Sequence, residues 1–182
     1  MGYSGGTSEN PAYYRLGDHS ETVQIEYDPE RISYRDLLDV FWWSHNPYYP
    51  SSGTQYMSVI FYHNDEQKRQ AIESRDKLES ETGRNIYTKI VPASTFYLAE
   101  DYHQKYYLQQ YGELSEEFKA IYPDIEDFIK STAVARVNGY AGGYGTQETL
   151  QKELDSLGLS LEGIERVLEL AARGLNPACL VP

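Results

Sequence analysis

Three side chains near the start of the chain are of the right types to handle a small polar oxygen. Tyr13 stands in "GTSENPAYY", Glu21 closes "DHSE", and Tyr56 lies in "GTQYMS", where a turn runs into a strand-like segment. A carboxyl set among tyrosine rings has its charged form desolvated, which raises its pKa and suits it to donate a proton near neutral pH. Two phenolic hydroxyls could hold an oxygen between them while the acid protonates it. The same spacing is met by a more ordinary arrangement, a solvated strand-edge acid with two packing tyrosines, so the residues alone leave both open.

The flanking sequence predicts the elements that must position these groups. "TVQIEYD" alternates apolar and polar residues and predicts a strand from Thr22 to Asp28. Ser33 is the expected N-cap of a helix with an apolar stripe of Leu37, Leu38, Phe41 and Trp42, ending near Pro47. "YMSVIFYH" reads as a second strand. "NDEQKRQAIESRDKLESETG" follows as a polar surface helix opened by Asn64 or Asp65 and closed by Gly83, and "IYTKIVPAS" reads as a third strand. This β-α-β-α-β alternation predicts an α+β sandwich with helices on one face of a sheet.

Past Leu98 the pattern changes. "YLAEDYHQKYYLQQYG" reads as helix or as extended chain, and "SEEFKAIYPDIEDFIKS" as a helix broken at Pro123. "TAVARVNGY" reads as a strand. Two amphipathic helices capped by Thr146 and Ser160 and stopped by Gly158 and Gly174 would form an αα-hairpin. The opening "GYSGG" is echoed by "GYAGG" at residues 139–143.

Composition narrows the partners. The formal net charge is −12, and a phosphate backbone calls for a basic face, so no nucleic-acid partner is expected. No apolar run reaches membrane-spanning length, so no membrane partner is expected. Tyrosine is abundant, at 18 residues, which favours half-buried amphipathic surfaces. The single cysteine, Cys179, excludes an internal disulfide and fits a reducing, cytoplasmic setting. His19, His45, His63 and His103 are scattered with no metal-ligand spacing, and no dinucleotide or phosphate loop is present, so no metal and no cofactor are expected.

Taken in order, "GYSGGTSENPAYY", "DHSE", "YDPERISYRDLLDVFWWSHNP", "GTQYMSVIF" and "TFYLAEDYHQKYYLQQ" resemble the A-type peptide methionine sulfoxide reductases. The resemblance covers Gly2 to Gln110. It implies a ferredoxin-like α/β sandwich as a core over residues 1–112, followed by a mainly helical C-terminal extension over residues 113–182. It also implies reduction of methionine-S-sulfoxide in peptides or proteins, with thioredoxin as the reductant. Tyr13 and Tyr56 fall on the family's tyrosines that hydrogen-bond the sulfoxide oxygen, and Glu21 on the acid that protonates it.

The departures from the family are equally specific. The family's Gly-Cys-Phe-Trp segment, which carries the nucleophilic cysteine and an aromatic cage, has no counterpart, because the Gly-Tyr-x-Gly-Gly loop begins at residue 2. The family aspartate before Gly-Thr-Gln-Tyr is also absent, with Ser51 or Ser52 nearest in place. By this comparison the first strand and helix are missing, and the lost strand would lie in the middle of the sheet. "IEDFIKSTAVARVNGYAGG" is a candidate to fill that gap, with Ala133 to Val137 in the sheet; a partner chain is another. Cys179 stands where the family often keeps a resolving thiol. A sulfoxide cannot be reduced without a thiolate, so the chain by itself is expected to be inactive, and a non-catalytic binding or interaction module is the alternative.

Overall fold

The computed structural model describes residues 1–174. The chain divides into two compact units, Met1–Glu100 and the remainder from Asp101. The first unit mixes strands and helices and the second is helical, an α+β protein.

In the first unit, β1 (Gly2–Ser4) is the central strand of a three-stranded antiparallel sheet. It pairs with β2 (Ser20–Thr22) on one side and β5 (Tyr97–Leu98) on the other. The register sets Tyr3 opposite both Glu21 and Tyr97. Tyr3 is buried and packs with Leu16 and Ala99, with Tyr13 and Tyr97 against them. A second, parallel sheet pairs β3 (Val59–Tyr62) with β4 (Lys89–Pro92). Helices α1 (Tyr34–Trp43) and α2 (Asp65–Thr82) accompany it, and Leu38, Ile60 and Ala71 form its core.

Local hydrogen bonding explains the helix ends. Ser33 caps α1 in a capping box with Asp36. Asn64, not Asp65, caps α2 by accepting from the Gln67 amide, and Gly83 ends it at a φ of 64°.

Two expectations about strands are corrected. The predicted strand from Thr22 to Asp28 stops at Thr22. A strand exists only against a partner, and among the described residues none lies beside residues 23–28, which leaves Val23 and Ile25 exposed. For the same reason there are two small sheets here, where one continuous sheet was expected. The proposed replacement strand is a helix: Ala133 to Val137 lie outside any sheet, in α6 (Thr132–Ala141). Ser131 caps that helix, and Ala133, Val134, Val137 and Tyr140 bury one face at helical spacing. The "GYAGG" echo therefore ends a helix, whereas "GYSGG" opens a sheet.

The second unit holds α3 (Tyr106–Gln109), α4 (Gly112–Ile121), α5 (Ile125–Lys130), α6, α7 (Gln147–Glu153) and α8 (Leu161–Gly174). The break between α4 and α5 falls at Pro123, as the sequence predicts. Thr146 and Ser160 cap α7 and α8 through the amides of Thr149 and Gly163. Leu108 lies in the same buried cluster as Phe118, Val137, Leu150 and Val167. Residues just before 112 therefore belong with the helices, and the units part at residue 100, ahead of the boundary the resemblance implies.

A third local structure shapes the opening loop. Gly5 takes a φ of 87°, so the chain leaves β1 through a conformation that favours glycine. The Asp18 carboxylate accepts from the Thr7 and Ser8 amides and from both their hydroxyls. Those hydrogen bonds, Ser8's first, hold the Asp18 carboxyl well below the usual carboxylate range. His19 is buried; its Nδ1 accepts from the Gly6 amide, so Nε2 carries the hydrogen and donates to the Ser8 carbonyl.

Two outcomes follow from this packing. Phe118→Ala empties a fully buried site in the helical core and should cost about 3–5 kcal/mol, read as an earlier loss of helical signal in urea. Asp18 is deprotonated more readily folded than unfolded, so its contribution is present above the unfolded carboxyl pKa of about 3.9 and is lost on acidification below it. Hydrogen exchange should show the Thr7 and Ser8 amides protected at pH 6, less protected in acid, and less protected at both pH values in Asp18→Asn.

Candidate functional site

The sheet register delivers Glu21 at the middle of β2, opposite Tyr3. The segment at residues 54–56 is stitched alongside. The Glu21 amide donates to the Gln55 carbonyl at 2.9 Å, and the Ser20 hydroxyl donates to the Thr54 carbonyl at 2.7 Å. Tyr56 is carried on this segment, directly ahead of β3.

Tyr13 arrives from the other side of β1. It sits in a tight turn closed by two backbone hydrogen bonds between Ala12 and Arg15. Glu100 fixes that turn to the sheet: one carboxylate oxygen accepts from the Tyr3 hydroxyl at 2.6 Å, the other from the Tyr13 amide at 3.0 Å. The Tyr13 ring meets Tyr14 edge-on at 5.0 Å.

The three candidate residues are thereby brought together. The Tyr13 phenol lies near enough to Tyr56 to influence its ionisation, and the Gln55 amide nitrogen donates both to Glu21 Oε1 at 2.8 Å and to the Tyr56 hydroxyl at 3.0 Å. The Tyr56 phenol is pushed above its ordinary range, first by the hydrogen bond with Tyr13, then by desolvation and by the nearby Glu21 carboxylate. This is a rim and not a sealed chamber: Glu21 and Tyr13 are half-buried, and Tyr56 is 69% exposed.

From Glu21 and Tyr56 an open cleft of about 530 Å³ runs along Val23, Phe41, Val59 and Phe61. Its lining is mixed: Val23, Ile25, Leu37, Phe41 and Phe61 supply apolar surface, and Gln24, His45 and Ser58 supply polar groups besides Glu21 and Tyr56. Such a site can hold a short apolar side chain and hydrogen-bond a polar oxygen carried on it.

The remaining candidates lie elsewhere. Ser51 and Ser52 are exposed, and the Ser51 hydroxyl is turned into its own loop, donating to the Gly53 carbonyl at 2.6 Å. Cys179 lies outside the described residues. Among the described residues no three His, Cys, Asp or Glu side chains gather as a metal site, and no helix is long and apolar enough to cross a membrane. Gln55 and Glu100 were not singled out from the sequence. Both sit inside recognised runs, "GTQY" and "LAED", but what they bind is visible only when the chain is folded.

Comparison with known proteins identifies the family of the chain. The family model described as "Peptide methionine sulfoxide reductase" matches residues 1–137. A second, "Selenoprotein methionine sulfoxide reductase A, helical domain", matches residues 124–171. A peptide methionine sulfoxide reductase of Methanothermobacter thermautotrophicus is 52% identical over 118 residues, covering 58% of this chain and 69% of that protein. The Drosophila melanogaster protein of that name is 38% identical over 163 residues, covering 88% and 65%. Peptide methionine sulfoxide reductase A5 of Arabidopsis thaliana is 42% identical, covering 85% and 62%. The crystal structure of reduced Mxr1 from Saccharomyces cerevisiae matches with a TM-score of 0.57 at 31% identity, covering 61% of this chain and 70% of that one. This chain thus spans roughly two thirds of the length of these relatives, between 62% and 69%. With its core and its helical unit both matched, the chain belongs to the peptide methionine sulfoxide reductase family.

Proposed function

We propose that these residues form the oxygen-binding wall of a peptide methionine-S-sulfoxide reductase site, with methionine sulfoxide in peptides or proteins as the ligand and thioredoxin as the final reductant. The convergence of Tyr13, Tyr56 and Glu21 beside an open cleft that Glu21 and Tyr56 help to line carries this reading. The methionine side chain lies in the cleft, and its sulfoxide oxygen takes the place between the two hydroxyls. Tyr13 and Tyr56 donate to that oxygen, and Glu21 supplies the proton as the S–O bond breaks.

The electrons come from a thiol. A thiolate attacks the sulfoxide sulfur; sulfur is reduced to the thioether, and the thiol is oxidised to a sulfenic acid carrying the oxygen. A second thiol condenses with the sulfenic acid, releasing water and leaving a disulfide, which a dithiol such as thioredoxin reduces. Two phenols and a carboxylic acid move protons but no electrons. None of the described residues is a cysteine, so on this reading the described residues bind the sulfoxide and the attacking thiolate has to be brought to them.

A thioredoxin-coupled assay on an S-sulfoxide peptide should show no turnover by the chain above its Cys179→Ser variant. Calorimetry should nevertheless show binding of that peptide, weakened about tenfold in Tyr13→Phe through loss of one hydrogen bond. Turnover that depends on Cys179 would contradict the division of labour. Equal binding of wild type and Tyr13→Phe would contradict the oxygen site.

A further inference from the structure

Gln55 holds a position that the family reading leaves without a role. Its backbone carbonyl accepts from the Glu21 amide at 2.9 Å, while its side-chain nitrogen donates to Glu21 Oε1 at 2.8 Å. The same nitrogen donates to the Tyr56 hydroxyl at 3.0 Å. An amide nitrogen has two hydrogens and accepts nothing. Both hydrogens are therefore used, one on each of two groups that face the ligand.

The first consequence concerns the acid. With Oε1 committed as an acceptor, the proton of neutral Glu21 belongs on Oε2, the oxygen that Gln55 does not touch. The second concerns the phenol. Tyr56 accepts from Gln55 and cannot donate to that nitrogen, so its own hydrogen stays available to an oxygen on the ligand side. The hydroxyl of Tyr13 lies close by. The third concerns order: an aromatic side chain that is 69% exposed has little packing to hold it, and the hydrogen bond from Gln55 to its hydroxyl sets its direction.

We infer that Gln55 is a positioning residue that fixes the donor directions of Glu21 and Tyr56, and so sets this site's preference for a sulfoxide over the corresponding thioether. The inference rests on the reading given under "Proposed function". A thioether fits the same cleft but has no oxygen for these donors, so its binding is indifferent to their direction.

The test uses the full chain with two probes, N-acetyl-methionine-(S)-sulfoxide methylamide and its thioether counterpart, titrated by NMR. Wild type should bind the sulfoxide more tightly. Gln55→Ala should lower that affinity about tenfold, the scale of one ordinary hydrogen bond, while the thioether affinity stays the same. Gln55→Glu keeps the size of the side chain but sets a second carboxylate against Glu21. It should lose the preference at pH 7 and regain it on acidification, once the two carboxyl groups can share a proton. An unchanged preference in Gln55→Ala, or equal weakening of both probes, would overturn the assignment, as would a Gln55→Glu variant that matches wild type at pH 7. A wild type that does not distinguish the probes would instead sink the oxygen-site reading, and the role of Gln55 with it.

Discussion

The site depends on how β1 is held at Tyr3. This strand is three residues long, flanked on both edges, and its central side chain is almost wholly buried. Pairing on one edge sets Glu21 across from it. On the other side, the Tyr3 hydroxyl reaches Glu100, whose second oxygen takes the Tyr13 amide. One buried residue thus links the acid, through strand pairing, and the first tyrosine, through Glu100. Glu100 at the same time satisfies a hydroxyl that would be costly to bury unpaired.

Around that fixed strand the remaining parts need little independent stability. Asp18 and His19 tie the loop at residues 5–8 through backbone amides and a carbonyl, so the turn that bears Tyr13 starts from a defined point. Residues 54–56 hang on β2 through the Ser20 and Glu21 contacts. Tyr56 needs only to lean across. Glu21 and Tyr56 of this rim line the cleft, which also takes in residues of α1 and β3 such as Phe41 and Phe61. Under the proposed function the labour divides: these groups would bind oxygen and pass a proton, while the electron pair would come from a sulfur.

What could be read from the sequence was what the chain decides locally. Ser33, Asn64, Gly83 and Thr146 mark helix ends because a cap bonds to amides or carbonyls three or four residues away. The segment from Thr22 to Asp28 looked like a strand and is one only to Thr22, since alternation cannot supply a neighbour to pair with. "TAVARVNGY" misled in the opposite direction: its β-branched residues suggest a strand, yet Val134, Val137 and Tyr140 share a helical face that the core of the second unit buries. Of the site, Tyr13, Glu21 and Tyr56 stood out through their motifs. Gln55 and Glu100 did not, because their meaning lies in contacts 34 and 87 residues away.

The central claim is that the Tyr13 and Tyr56 hydroxyls and the Glu21 carboxyl address a single oxygen. A crystal of the chain soaked in dimethyl sulfoxide tests it most directly, because this molecule presents the sulfoxide group without the rest of a methionine. The sulfoxide oxygen is expected at hydrogen-bond distance from both hydroxyls, with a methyl group turned into the cleft that Phe41 and Phe61 line. Tyrosine hydroxyls lying apart, with the sulfoxide bound elsewhere or not at all, would contradict it.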